Sequence, residues 1–125
     1  MQQSGIIIGG GIAGLTAAIA LRQRGIAATV CEAAPHILQL EAGIWMAPNA
    51  MQVFERLGLA GWIDTGGVPL RAIEIVNGQM QPLLRTNQER IRQRFGHGTT
   101  AIRRATLQQI LLAEVGPGAV QLGKV

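Results

Sequence analysis

The stretch Gly5-Ile6-Ile7-Ile8-Gly9-Gly10-Gly11-Ile12-Ala13-Gly14-Leu15 decides the fold. Gly5 to Ile8 is a short apolar, β-branched run, the pattern of a strand buried on both faces in a parallel sheet. Glycines follow at once. Ile12 to Arg24 then carries Ile12, Leu15, Ala18, Ile19 and Leu21 near helical spacing. Arg22 and Arg24 suit the negative end of that helix, and Gly25 stops it. Ala28 to Cys31 is a second apolar run, closed by Glu32. Residues 4–32 therefore read as strand, helix, strand, and the predicted fold class is α/β with a Rossmann-like βαβ core on a parallel sheet.

Between the first strand and the helix, Gly9-Gly10-Gly11-Ile12-Ala13-Gly14 matches G-x-G-x-x-G in the required context. Gly9 allows the tight turn out of the strand. Gly11 lacks a Cβ, so a pyrophosphate can approach the backbone, and Gly14 lets helix and strand pack closely. The N–H groups and positive dipole end of the helix then suit a diphosphate. Glu32 lies where the fingerprint places an acid that accepts hydrogen bonds from ribose hydroxyls. A carboxylate there repels a 2′-phosphate, so the ligand expected is the ADP part of FAD or NAD. The competing reading is a glycine-rich turn without ligand, with Glu32 solvated.

The length of 125 residues suits one compact domain. With 48% apolar and 3% aromatic residues and no Tyr, the core is expected from Ile, Leu, Val and Ala. Ten of the eleven basic residues are Arg, six of them between Arg85 and Arg104, and the net charge is +4. No aromatics are interleaved to stack bases and no nucleic-acid motif is present, so no nucleic-acid partner is expected. A phosphorylated cofactor or an acidic remainder explains the charge as well. Cys31 is the single cysteine, read as a small buried strand residue in a reducing cytoplasm. No signal peptide or membrane span is expected.

Beyond Glu32, residues 33–40 read as a loop and Gly43-Ile44-Trp45-Met46 as an extended segment. A helix starts at Pro48-Asn49, carries Ala50, Val53, Phe54 and Leu57 on one face, and ends at Gly58. A hairpin excursion is expected over about 70–85, with Ile73 to Ile75 outgoing, Asn77-Gly78 turning and Gln79 to Leu84 returning. Thr86 to Gly98 reads as a polar surface excursion. Arg104 to Glu114 is a helix with Leu107, Ile110 and Leu111 as its core stripe, and Ala119 to Val125 starts another strand. A strand beginning so near the last residue leads us to expect that the natural protein continues. Asp64, Glu41, His36 and His97 are read as solvated surface groups. No metal site and no catalytic acid, base or nucleophile is predicted.

Three stretches carry a family resemblance. Gly9 to Gly14, continued by Leu15, Ala17, Ala18, Ala20 and Leu21, resembles the FAD-binding opening of flavoprotein monooxygenases of the para-hydroxybenzoate and salicylate hydroxylase type (group A). Gly43 to Ala50 followed by Leu57-Gly58-Leu59 is similar to that family's segment after the second strand. Arg104-Ala105-Thr106-Leu107 with Ile110-Leu111 is similar to its "Arg, two residues, Leu" helix. Two positions depart from the pattern. Arg103 stands where His is frequent, and Leu38, Gln39, Leu40 and Glu41 occupy a stretch that often holds an arginine.

The resemblance implies a partial FAD-binding domain over 1–125, truncated, with the substrate domain absent. It implies that FAD is held by Gly9, Gly10, Gly11, Ile12, Ala13, Gly14, Glu32, Gly43 and Arg104, the competing reading of Arg104 being a solvated surface residue; Gln108, one helical turn on, is placed to face the same ligand. It further implies NADPH or NADH as transient reductant, and molecular oxygen and an aromatic-type small molecule as substrates of the full-length parent. The 125 residues alone are expected to be inactive. Two alternatives remain open: another FAD- or NAD-dependent oxidoreductase, or a non-catalytic nucleotide-binding module.

Overall fold

In the computed structural model, residues 3–37 and 41–124 are described. The order is β1 (Ser4–Ile8), α1 (Ile12–Gln23), β2 (Ala27–Glu32), β3 (Gly43–Met46), α2 (Pro48–Arg56), α3 (Ala60–Gly66), β4 (Val68–Pro69), β5 (Ala72–Val76), β6 (Pro82–Asn87), α4 (Gln88–Phe95), β7 (Thr100–Arg103), α5 (Arg104–Val115) and β8 (Val120–Leu122). The chain forms two compact units, Met1–Ala42 with Arg103–Val125, and Gly43–Ile102.

The first unit is the α/β core foreseen from the sequence. Its sheet runs β1-β2-β8 with parallel pairing, Ile8 opposite Cys31 and Cys31 opposite Gln121. Leu15, Ala18 and Ile19 of α1 and Leu107, Leu111 and Val115 of α5 are buried where the two helices pack together. Ala28 and Val30 of β2 are buried as well. Each such aliphatic side chain contributes about 1.5–3 kcal/mol on burial. The Arg22 guanidinium donates to the Val115 carbonyl at 2.5 Å, which places a cation on the negative end of α5. α1 ends as expected, with Gly25 at φ 76°.

Two expectations for this unit are corrected. β1 is not buried on both faces, since Ile6 and Ile8 are 73% and 84% exposed. No described element lies over that side of the strand, so the apolar run marks a parallel strand without marking two covered faces. Cys31 is half-buried, not buried, because it shares a face with Ile8. The loop residues expected at 38–40 and the end of the last strand at Val125 lie outside the described residues.

The second unit is built from short elements. One sheet has the order β3-β7-β4, and β5 and β6 form the expected antiparallel hairpin. Its turn is longer than an Asn-Gly turn. Asn77 Oδ1 accepts from the N–H groups of Gln79 and Gln81, and Met80 takes the positive φ of 62°. The return strand therefore starts at Pro82. α2 starts and stops as expected, with Pro48 in its first turn and Gly58 at φ 77° after it, but its buried residues are Met51 and Phe54, and Val53, expected on the apolar face, is exposed.

The polar stretch 86–98 is mostly at the surface, as expected, and α4 occupies most of it. Asn87 caps that helix through Oδ1 to the Arg90 N–H, Glu89 stands in the first turn, and Gly96 ends it at φ 84°. Gln88 is buried and spans two neighbours, donating to Thr86 Oγ1 and accepting from the Thr99 N–H. His97 and Asp64 are paired, not merely solvated. His97 Nε2 lies 2.9 Å from Glu55 Oε2, and Asp64 Oδ1 accepts from Thr100 Oγ1 at 2.5 Å.

Candidate functional site

The site grows from the end of β1. Gly9 turns the chain at φ 105°, a conformation that favours glycine, and its N–H donates to the Cys31 carbonyl at 2.8 Å. A Cβ on Gly14 would collide with the Gly9 carbonyl oxygen, so that glycine is required by the packing of turn on helix. Gly11 differs from both. Its backbone is ordinary extended chain at φ −76°, and a Cβ there would meet nothing within 4 Å. The fold itself does not need a glycine at this position.

Gly11 is also the N-cap residue of α1, whose start carries no side-chain cap and no acid in its first turn. Among the described residues, the N–H groups of Gly11, Ile12 and Ala13 find no acceptor. They are the orphan donors that every helix start presents.

Beside them lies a cleft of about 140 Å³, walled by Gly10, Gly11, Glu32, Arg104 and Gln108, with Ala34, His36 and Ile37 completing it. Both oxygens of Glu32 are held by the backbone, Oε2 by the Gly10 N–H at 2.6 Å and Oε1 by the Ala34 N–H at 2.9 Å. These bonds, that of Ala34 first, keep its carboxyl below the usual carboxylate pKa, so it stays ionised at neutral pH. Each oxygen retains a second lone pair for a further donor. Arg104 opens α5, where its N–H donates to the Ala42 carbonyl at 2.8 Å, and its exposed guanidinium has no acidic partner among the described residues. Gln108, one turn on, donates from Nε2 to the Gly10 carbonyl at 3.3 Å.

The structure thus brings Gly10, Gly11, Glu32, Arg104 and Gln108 around one cleft. Gly9, Ile12, Ala13 and Gly14 form the turn and first helical turn adjoining it. Gly43 opens β3 in the second unit, exposed, and is not among the residues lining this cleft. Ala34, His36 and Ile37 escaped the sequence reading. The only pointer to them is that a carboxylate ending a strand takes N–H bonds from the next few residues, which draws the loop around it.

Comparison with known proteins gives this arrangement its family. A family model described as "FAD binding domain" matches residues 3–118. The chain belongs to the FAD-binding domain family. A 3-amino-4-hydroxybenzoate 2-monooxygenase of Streptomyces platensis is 42% identical over 117 residues, which cover 92% of this chain and 30% of that protein. A 3-hydroxybenzoate 6-hydroxylase of Polaromonas naphthalenivorans is 36% identical over 123 residues, covering 96% and 30%. Among solved structures, Klebsiella pneumoniae HpxO complexed with FAD and uric acid superposes with a TM-score of 0.85 at 33% identity, covering 97% of this chain and 31% of that one. The chain therefore spans about 30% of the length of the curated relatives it matches. It is an FAD-binding portion related to aromatic hydroxylases of the flavin monooxygenase group. No described helix is long and apolar enough to cross a membrane.

Proposed function

We propose that this chain is the FAD-binding part of an NAD(P)H-dependent monooxygenase that hydroxylates an aromatic or related small organic substrate. The observation that carries the reading is Gly11: a glycine that the fold does not require, set against open space at an uncapped helix start. A pyrophosphate needs that bare backbone and those N–H groups. Glu32 then accepts from the ribose hydroxyls, and its negative charge disfavours a 2′-phosphate. Arg104 supplies a guanidinium for phosphate or ribose oxygens, and Gly43 contributes backbone near the flavin ring. When bound, the flavin supplies the redox and oxygen chemistry, and the protein places it and keeps water away.

The cleft of about 140 Å³ opens to solvent and is lined by Gly10, Gly11, Glu32 and Arg104, the groups assigned here to the ADP end of FAD. On this reading residues 1–125 are a partial FAD-binding domain, the substrate domain lies elsewhere in the parent, and the 125 residues alone do not turn over. The free thiol of Cys31 suits a reducing cytoplasm.

The test is an absorbance spectrum after incubation with FAD and desalting. Retained flavin bands that disappear in Gly11→Leu are expected. A chain that retains NAD and not flavin would overturn the FAD assignment.

A further inference from the structure

Gly10 is gripped from both sides. Its N–H donates to Glu32 Oε2 at 2.6 Å, and its carbonyl accepts from Gln108 Nε2 at 3.3 Å. The two grips come from different elements, the end of β2 and the second turn of α5. There is little slack, since a Cβ on Gly10 would stand 3.1 Å from both Cβ and Oε2 of Glu32. A trans peptide sets the carbonyl of one residue and the N–H of the next on opposite sides. Holding the Gly10 carbonyl toward Gln108 therefore fixes the Gly11 N–H the other way, and that N–H has no acceptor among the described residues.

We infer that Gln108 is a positioning residue: it governs nucleotide binding through the Gly10–Gly11 peptide, whose carbonyl it holds before any ligand arrives, while Glu32 holds the preceding Gly9–Gly10 peptide by the Gly10 N–H. The inference rests on reading the cleft as the diphosphate site. Its consequence is that a residue of α5, 98 positions away in sequence, sets the direction of a diphosphate donor in the glycine loop. A residue that acted by touching the flavin end would leave the ADP end alone. A residue that acts through the loop affects ADP and FAD alike.

Gln108→Met tests this, since it keeps the length of the side chain and removes the N–H donor. Two readouts are taken on the 125-residue chain: the Gly11 amide resonance without ligand, and the affinities for ADP and for FAD by titration calorimetry. The expected result is a shifted Gly11 resonance and an equal loss for both ligands, about three- to tenfold for one neutral hydrogen bond. Gln108→Lys retains a donor and is expected to keep the Gly11 resonance near its wild-type position, which decides the matter should the Met variant fail to fold. An unmoved Gly11 resonance in Gln108→Met, a resonance displaced in Gln108→Lys, or a loss confined to FAD overturns the clamp. A wild-type chain that binds neither ADP nor FAD overturns the nucleotide reading instead, and the ligand-free resonances still decide the clamp.

Discussion

The two units fill their interiors by different means. In the βαβ unit the buried side chains are aliphatic, with Leu15, Ile19, Val30, Leu107, Leu111 and Val115 at 2% exposure or less. In the unit from Gly43 to Ile102, Met51, Phe54 and Ile63 share the interior with Gln88, Thr99 and Thr100, and these polar groups are joined in pairs across elements. The first interior is held by packing on a regular period. The second needs particular partners at particular distances. That difference decides how each unit responds to substitution and how much of each can be read in advance.

The largest effect is expected in the aliphatic unit. Leu107→Ala removes a fully buried side chain and should cost about 2–5 kcal/mol in urea unfolding. A loss well below that would mean that α5 can settle onto α1, and would weaken the contrast between a periodic and a paired interior.

Glycines sharpen the contrast next. Gly14→Ala drives a Cβ into the Gly9 carbonyl, and Gly67→Ala brings one within 2.6 Å of the Ala101 carbonyl oxygen. Each should destabilise by about 1–3 kcal/mol as overpacking does. Gly11→Ala meets no neighbour at an ordinary φ, and the entropic gain of about 0.4–1 kcal/mol is opposed by alanine's poorer fit as an N-cap, so the melting temperature should stay nearly unchanged. Its flavin retention should fall all the same. Thermal melts and desalting of the three variants side by side separate a glycine kept for packing from one kept for a ligand.

A smaller effect is expected at Asn87. Asn87→Ala removes the acceptor that caps α4 and should cost about 1 kcal/mol by the same unfolding assay.

The same contrast explains what was legible. Ile12 to Leu21 and Leu107 to Leu111 repeat at helical spacing, and the glycine loop with Glu32 carries its own mechanism, so the first unit and most of its cleft followed from sequence. α4 did not, because its residues are mostly charged and polar and its evidence is a cap, Asn87, and a stop, Gly96, without an apolar stripe between them. β4 and β7 are 2 and 4 residues long, too short for an alternating pattern to show. Within the cleft, the pairing of Gln108 with Gly10 joins residues far apart in sequence and leaves no local trace.

The smallest effect concerns pH. The folded-state pKa of Glu32 is depressed by N–H bonds from Ala34 and Gly10. Its contribution to stability is therefore present above the ordinary carboxylate pKa and lost as the pH falls through the lowered folded value. Glu32→Gln should flatten that part of the acid limb in thermal melts taken between neutral and strongly acidic pH. An acid limb with unchanged slope would mean that the backbone bonds to Glu32 do not contribute to acid stability.

The open face of β1 has one more consequence. Cys31 stands in register with Ile8 on that face, half-buried, and it is the single cysteine of the chain. A thiol reagent therefore modifies this protein at one place, and the rate of modification becomes a gauge of whatever lies over β1 and β2. Free in solution the sulfur should react at a measurable rate, and any polypeptide seated across Ile6 and Ile8 should slow it. The molecule carries a built-in chemical reporter on the surface where the sheet is bare.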